Sequence, residues 1–234
     1  MKLTTEQIDQ LFTFTRQHYV EWYDLQSELV DHLANAIETQ WQENPKLTFD
    51  EVLNKEFGKF GVFGFMGVVE ERQKFLGKKY NRLIWKYYKE FFRLPKIILT
   101  TALIYGLYTF LNFFENPAAI FMGTYIFTLI VSFVLFLKAR KELKQKQKRT
   151  GKKWLFENNE NSLIAIQLFI LGYSISNTII YVSKINIWHR EYSIIASSVL
   201  VLITLYIFIQ LKIIPNKVSE ELAKTYPEYK LEKL

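Results

Sequence analysis

The chain contains no cysteine and only three histidines among its 234 residues. The absence of cysteine excludes a disulfide framework, a thiol nucleophile and any metal site built from thiolate ligands. The first ninety residues contain no apolar segment of the signal-peptide kind, so we expect the first apolar span to direct membrane insertion by itself. No serine stands in a nucleophile elbow or beside a plausible base, and nucleophilic catalysis therefore has no support.

Ionisable residues are also absent from four long apolar segments, apart from Lys212 near the end of the last one. Each segment has roughly the 17 to 25 residues that a helix needs to cross the hydrocarbon layer. The sequence therefore predicts an all-α polytopic membrane protein, with four transmembrane helices after an N-terminal cytosolic helical head. The four predicted spans are Ile97–Phe114, Ala118–Leu137, Leu163–Val182 and Ser193–Ile214.

The polar residues inside these spans are uncharged, and Asn112, Ser174 and Asn177 are typical of them. Such groups commonly form hydrogen bonds between membrane helices where small residues allow close approach. A substrate pathway is the alternative. The lack of intramembrane carboxylates removes the most direct support for a proton-driven pump.

Lysine and arginine are distributed unevenly around the spans. Lys78–Lys96 contains seven of them and Lys138–Lys153 contains nine, whereas residues 115–117 contain none and residues 183–192 contain two. Because retained positive charge favours the cytoplasmic side, we expect a multi-pass protein of the inner (cytoplasmic) membrane with both termini cytoplasmic. The predicted units are a head (1–77), a basic aromatic interfacial helix (78–96), a first hairpin (97–137), a basic loop (138–162), a second hairpin (163–214) and a tail (215–234).

The net charge of +7 arises beside the predicted membrane, since the head has thirteen acidic side chains against seven basic ones. Basic segments next to a bilayer attract anionic lipid headgroups, at roughly 1 kcal/mol per Lys or Arg. We therefore expect lipid contacts and no nucleic-acid partner. The predicted interfacial residues are Arg82, Trp85, Lys86, Lys89, Arg93, Lys141, Lys144 and Lys148.

Helical periodicity is clear in the head. A stripe in steps of four predicts one long helix with a buried face; its members are Leu25, Leu29, Leu33, Ile37 and Trp41. Thr48 and Glu51 have the spacing of a capping box, which predicts the start of a further short helix.

Glycine recurs at every third position after that helix, at Gly58, Gly61, Gly64 and Gly67, with phenylalanines between. Each glycine disfavours a regular helix by about 1 kcal/mol relative to alanine. One interpretation is a turn followed by close packing at positions where side chains would clash. The other is a loop whose exposed phenylalanines contact the membrane interface or a partner. We hypothesise that these glycines form a hinge between the head and the membrane domain.

Four polar residues of the head, Asp24, Glu28, Asp31 and His32, lie on or beside one helical face. We predict that this face binds a protein partner. A divalent cation is the weaker alternative, because two or three ligands on one helix leave a metal site open and the head offers no matching histidine. No metal and no cofactor are therefore expected.

The segment from Tyr23 to Gly58, with this acidic face before His32 and the capped helix that ends in Phe57 and Gly58, resembles the HAAS or permease-prefix type of cytosolic helical domain. The resemblance covers about a quarter of the chain. It implies a helical domain that precedes membrane spans and takes part in signalling, beside PadR-type regulators or on permeases. The glycine repeat and the aromatic elbow depart from that pattern.

Together these features predict a non-catalytic regulatory or scaffolding subunit of the inner membrane, whose head binds a cytosolic or membrane protein partner. A small transporter or channel-like subunit is the alternative. Because four spans enclose little space, that alternative requires a homo-oligomer.

Overall fold

The computed structural model describes residues 2–184 and 190–231. This part of the chain is all-helical and contains no β-strand. A π-helical segment, Ile209–Ile213, separates two of the α-helices. The α-helices are α1 (Thr5–Gln17), α2 (Tyr23–Glu43), α3 (Phe49–Gly58), α4 (Met66–Glu90), α5 (Lys96–Phe113), α6 (Pro117–Thr150), α7 (Leu155–Lys184), α8 (Arg190–Phe208), α9 (Ile214–Thr225) and α10 (Pro227–Leu231).

Local sequence signals account for the first three helices. The apolar stripe of α2 is buried along its whole length, as its spacing predicts. At the start of α3, the Thr48 hydroxyl accepts a hydrogen bond from the Glu51 N–H, and the Glu51 carboxylate accepts one from the Thr48 N–H. The predicted capping box is thereby confirmed. Thr4 and Gln7 form a second capping box at α1, which the sequence analysis missed.

The glycine-rich segment forms the turn between α3 and α4. Gly61 and Gly64 have φ angles of +75° and +51°, which favour glycine because a side chain is strained there. Phe65 is buried against the ring of Phe57, at a centroid distance of 4.9 Å, whereas Phe63 is 81% exposed. The segment therefore combines both interpretations, a tightly packed turn and an exposed phenylalanine.

Three described helical segments are long and apolar enough to cross a membrane: Lys96–Phe113, Pro117–Thr150 and Glu191–Thr225. They contain most of the first, second and fourth predicted spans and support the predicted membrane class. The third predicted span, Leu163–Val182, lies in α7, but most side chains of its second half fall outside the described residues. The count of four spans stays a prediction, and the predicted loop at 183–192 also lies mainly outside the described residues.

Hydrogen bonds join neighbouring membrane helices at the positions where polar residues interrupt them. The Tyr125 hydroxyl of α6 lies 3.0 Å from the Ser174 hydroxyl of α7. Ser193 of α8 donates to the Asn112 side-chain oxygen of α5 at 3.3 Å. The predicted interhelical hydrogen bonding is confirmed for Asn112 and Ser174, whereas Asn177 is exposed.

The basic segment 138–162 is helical, where the sequence analysis predicted a loop. The helix α6 continues to Thr150 and ends at Gly151, which has a φ angle of +68° and donates its N–H to the Gln147 carbonyl. After three further residues, α7 begins at Leu155. The physical reason is the composition of residues 138–150. Lysine, arginine, glutamine and leucine are strong helix formers, and this stretch contains no glycine or proline.

The predicted tail is also folded as far as it is described. The helix α9 buries Ile214, Val218 and Leu222 on one face, and Tyr229 of α10 is 1% exposed. The predicted boundary at residue 77 falls inside α4, a single helix with one buried stripe. Head, α4 and C-terminal helices consequently share one apolar core with the start of α7 and the adjoining end of α8.

We expect Gly64→Ala to destabilise the head. The added Cβ would lie 2.8 Å from Cζ of Phe57, and the positive φ angle disfavours alanine, so the expected loss is about 1–2 kcal/mol. Thermal unfolding of the full chain in mild detergent measures it. The matched control is Gly58→Ala, because nothing lies within 4 Å of its added Cβ, and its melting temperature should remain near that of the wild type. Equal melting temperatures for the two variants would contradict this account of the turn.

Candidate functional site at the junction of head and membrane helices

The N-terminal helices contact α7 at its first turn. The Asp24 carboxylate of α2 accepts a hydrogen bond from the Leu155 N–H, at 3.1 Å to Oδ1. The Lys153 carbonyl accepts one from the Tyr23 N–H at 2.7 Å. The first N–H groups of a helix have no partner within it, and an acidic group there is favoured by the helix dipole. Asp24 therefore caps α7 from a different helix.

Asp24 is buried, with 3% of its surface exposed. Burial raises the pKa of its carboxyl group to about 6, and the hydrogen bond from Leu155 opposes this increase without cancelling it. The ionised carboxylate is a strong acceptor but is costly to keep away from water. We therefore expect this contact to be sensitive to pH in the weakly acidic range.

A second polar contact joins α2 and α4 to the C-terminal segment. The Glu28 carboxylate accepts hydrogen bonds from Arg72 and from the Tyr226 hydroxyl, each at 2.6 Å. Arg72 also donates to the Tyr226 hydroxyl at 3.3 Å. Burial raises the pKa of Tyr226, and its hydrogen bond to Glu28 raises it further. Because Glu28 and Arg72 are partly exposed, we expect the ion pair to contribute within about 1 kcal/mol and mainly to orient the groups.

Aromatic packing forms the apolar part of the junction. Trp154, which precedes α7, is fully buried among three tyrosine rings. Its centroid lies 5.4 Å from that of Tyr23, 5.3 Å from that of Tyr226 and 5.1 Å from that of Tyr229. Such pairs contribute about 0.5–1.5 kcal/mol each beyond the burial of their surface. The aromatic cluster therefore provides more stability than the exposed ion pair.

A third contact ties the extension of α6 to the same place. Lys146 pairs with Glu157 of α7 at 2.8 Å, and both side chains are largely buried. The Tyr229 hydroxyl donates to Glu157 at 2.5 Å, and the Lys146 ammonium lies 3.9 Å from the Tyr229 ring centroid. Helices α6, α7 and α10 thus meet at the carboxylate of Glu157. We call the contacts of Asp24, Glu28, Trp154 and Glu157 together the junction.

The predicted partner-binding face is divided by the structure. Asp24 is buried in the junction, so the expectation of one open four-residue face requires correction at this residue. Glu28 contacts Arg72 and Tyr226 but remains 42% exposed. Asp31 and His32 are exposed. The physical reason is tertiary, because Leu155 and Arg72 approach α2 from distant parts of the chain. No three His, Asp or Glu side chains of residues 2–184 and 190–231 are grouped so that they could hold a metal ion.

The predicted interfacial residues all lie on the surface. They fall in two groups, one at the end of α4 and just beyond it and one on the extension of α6. The first group is Arg82, Trp85, Lys86, Lys89 and Arg93, and the second is Lys141, Lys144 and Lys148. Their exposure leaves them accessible to lipid, and the lipid contact itself stays a prediction.

Sequence reasoning missed the aromatic residues of the junction. Trp154, Tyr226 and Tyr229 lie in segments that were predicted as a loop and a tail. Large aromatic side chains far from any apolar span were the available signal, because such residues usually bury a large surface in a core or interface. The assignment of Gly58, Gly61, Gly64 and Gly67 as a hinge is untested, although two of these glycines supply the positive φ angles of a turn.

We expect Asp24→Asn to abolish a pH dependence of stability. Because the pKa of Asp24 is raised in the folded protein, its contribution is greatest below pH 4 and is lost as the pH rises through about 6. An asparagine oxygen still accepts from Leu155 without a charge. At pH 7.5 the variant should therefore melt at a higher temperature than the wild type. Its free energy of unfolding should be larger by up to roughly 3 kcal/mol.

The measurement is thermal unfolding of the full chain in detergent between pH 4 and pH 8. Asp31→Asn is the matched control, since Asp31 is exposed on the same helix and should leave the pH profile unchanged. Asp24→Ala removes the acceptor and should lower the melting temperature at pH 4. A pH profile of Asp24→Asn that coincides with the wild-type profile would refute the role assigned to this carboxyl group.

Comparison of the chain with protein-family models, curated proteins and solved structures finds no match. The resemblance of residues 23–58 to the HAAS or permease-prefix type stays a prediction. A functional assignment for this chain rests on the contacts of the junction and on the surfaces beside it.

Proposed function

We propose that this chain is a non-catalytic regulatory or scaffolding subunit of the inner membrane, whose helical head binds a protein partner. The junction carries this proposal. It connects α2 of the head to α7, to the extension of α6 and to the C-terminal helices through the contacts of Asp24, Glu28 and Trp154. A change in the head is thereby communicated to helices that enter the membrane.

The partner surface that we propose contains Asp31 and His32 of α2 together with the turn before α4. His32 and Phe60 are neighbours, with ring centroids 6.1 Å apart. Beyond Phe60 the turn exposes Val62 and Phe63, which are 99% and 81% accessible. Exposed aromatic side chains beside polar groups are typical of protein-binding surfaces. In this chain, Phe57 and Phe65 stabilise the turn, which leaves Phe63 available to a partner.

The proposed surface and the junction share α2. Asp31 lies seven residues, or about two helical turns, after Asp24. Tilting or shifting α2 on partner binding would strain the contact of Asp24 with Leu155 and that of Glu28 with Arg72. We propose that the head has a docked state, with these contacts formed, and a released state that depends on the Gly58–Gly67 segment. Anionic lipids would compete for the basic residues around the docked head.

The same proposal includes the orientation of the chain. Basic residues at the end of α4 and on α6 lie on the side of the membrane helices where the head is located, and retained positive charge favours the cytoplasmic side. We therefore place both termini in the cytoplasm. The large exposed apolar side chains of α5 and α6 would contact lipid or, in a homo-oligomer, a second copy.

A small oligomeric transporter or channel-like subunit is the second candidate. It is favoured by a buried polar group between the membrane helices, where Gln167 donates to the Tyr206 hydroxyl at 3.1 Å and Gln210 donates to Gln167. Gln210 lies in the π-helical segment, and such segments are frequent at functional sites. Transport requires a continuous polar path across the bilayer. The hydrogen-bonded side chains of Gln167, Tyr206 and Gln210 lie at one depth along the helices and do not form such a path.

The partner surface is tested by Phe63→Asp in the tagged full-length protein, purified from membranes in mild detergent. A charge in the centre of the surface should remove partner proteins from the purified material, at least tenfold relative to the wild type. Phe75→Asp is the control, because Phe75 is another exposed aromatic residue of the region and lies outside the proposed surface. Proteins that are retained by Phe75→Asp and lost with Phe63→Asp are the expected result. Identical sets of proteins for both variants would refute the surface.

The orientation is tested with a reporter enzyme that is active only outside the cytoplasm. Fusions after Gly77, Gly151 and Leu234 should be inactive, and insertion within residues 183–192 should give activity, because nine basic residues in Lys138–Lys153 oppose translocation of that segment. Western blots of the fusions control for expression. An active fusion at Gly151 would overturn the assigned topology.

A further inference from the structure

A cavity of about 430 Å³ lies between the extension of α6, the first turns of α7 and the helices α9 and α10. Part of the lining is apolar and includes Phe136, Ile164 and Leu211. The rest is largely polar, with both acidic and basic side chains: Glu157, Glu160, Lys146 and Arg149. The volume falls in the range of about 300–1,000 Å³ that is typical of small-ligand sites. Because it adjoins the ends of the membrane helices, an amphipathic molecule could reach it from the bilayer or from the aqueous side.

Glu160 is the distinctive residue of this cavity. Only 4% of its surface is exposed, and its Oε1 atom has no hydrogen-bond partner among the described residues. In the same part of the chain, the Oε2 atom of Glu157 is buried without a partner as well, although the other oxygen of Glu157 contacts Lys146 and Tyr229. A buried acceptor without a donor costs about 1–3 kcal/mol. Two carboxyl groups of the cavity lining thus each have an unsatisfied oxygen, and a ligand with N–H donors that reached them would satisfy both.

The electrostatic surroundings of Glu160 come from several helices. Burial and, to a smaller extent, the charge of Glu157 together raise the pKa of Glu160 to about 8. The helix α9 contributes Pro215, Asn216 and Ser219 to the cavity wall, and none of these side chains is charged. The titratable and charged groups around Glu160 are Glu142, Lys146 and Arg149 of α6, Glu157 of α7, Tyr80 of α4 and Tyr229 of α10.

We propose that this cavity binds a primary ammonium group attached to an apolar body. The ammonium donates to Oε1 of Glu160 and Oε2 of Glu157, and the apolar body packs on Phe136, Ile164 and Leu211. The site adjoins the junction through Glu157 and is additional to the proposed regulatory function, because it assigns a ligand to the chain.

The chemistry of the cavity selects this class of ligand. An anion would meet the carboxyl oxygens that lack a donor, and the two cations of the lining, Lys146 and Arg149, already have partners. A quaternary ammonium has no N–H to donate. Water satisfies the two oxygens but brings no charge and does not cover the apolar wall. A primary ammonium supplies three donors and a positive charge, which favours the ionised form of Glu160. An aminophospholipid headgroup and a soluble amine both have this chemistry.

The test has one arm for each source. In the first arm, the full chain in detergent is titrated with 2-phenylethylamine, and binding is followed by isothermal calorimetry. In the second arm, the chain is reconstituted in nanodiscs of phosphatidylcholine with or without phosphatidylethanolamine, and bound lipid is identified by native mass spectrometry. Binding in the first arm identifies a soluble amine as a sufficient ligand, and selective retention of phosphatidylethanolamine identifies the lipid headgroup.

Glu160→Gln is the decisive variant, because it keeps the shape of the side chain and removes its charge. We expect it to weaken binding of the probe at least tenfold while it retains or raises the melting temperature of the ligand-free protein. Glu191→Gln is the matched control, since Glu191 is exposed at the other end of the membrane helices and should bind as the wild type does. Binding by Glu160→Gln that equals wild-type binding would overturn the proposal.

A measurement on the wild type alone is independent of any variant. Because the ammonium requires the ionised form of Glu160, the apparent affinity should rise by about tenfold per pH unit below the pKa of Glu160 and level off above it. Affinity that does not change between pH 6 and pH 8 would contradict the assigned contact. The absence of binding in both arms would show that the cavity holds water only and would refute the proposal. Neither result bears on the partner surface at Phe63, which is tested separately.

Discussion

The architecture depends on how the N-terminus of α7 is satisfied inside the protein. A helix begins with N–H groups that have no partner within it, and exposed helices leave these groups to water. Here Trp154 and Leu155 are almost completely buried, so the acceptor must come from the protein. Asp24 provides it from a helix that lies 131 residues earlier in the chain. The head is consequently positioned against the membrane helices by a requirement of backbone hydrogen bonding.

Apolar packing and polar contacts have different roles in this arrangement. The rings around Trp154 and the shared core account for most of the favourable free energy, because they remove large apolar surfaces from water. The ion pair of Glu28 with Arg72 is partly hydrated and contributes little, but it specifies where the C-terminal segment sits. The raised pKa of Asp24 shows that the central contact retains a cost of burial.

Two buried carboxyl groups near the start of α7 illustrate how similar environments lead to different roles. Asp24 and Glu160 are both nearly inaccessible, and burial raises the pKa of each. Asp24 accepts a hydrogen bond from the Leu155 N–H, which has no acceptor within its own helix. The fold therefore explains this carboxyl group. The Oε1 atom of Glu160 has no hydrogen-bond partner in the described chain, and the fold alone does not account for it. The two groups thus differ in their hydrogen-bond partners, which give Asp24 a structural role and make Glu160 the residue that we propose as a ligand contact.

The sequence by itself determined the features that depend on neighbouring residues. The period of apolar residues in α2, the capping box at Thr48 and the length of the apolar helices are local, and the structure contains each of them. The same local rules indicated that basic segments lie beside the membrane helices. They failed for residues 138–162, which the sequence analysis predicts as a basic loop between two spans although the residues are good helix formers.

Only the tertiary structure decided which element covers each face. Periodicity places Asp24, Glu28, Asp31 and His32 on one side of a helix, but it contains no information on what packs against that side. The partners of Asp24 and Glu28 are 131 and 198 residues away, at Leu155 and Tyr226. Such contacts form because long-range burial outweighs the entropy of closing large loops, and that balance depends on the whole fold. For this reason Asp24 of the predicted face is buried and Glu28 is partly covered, whereas Asp31 and His32 remain exposed.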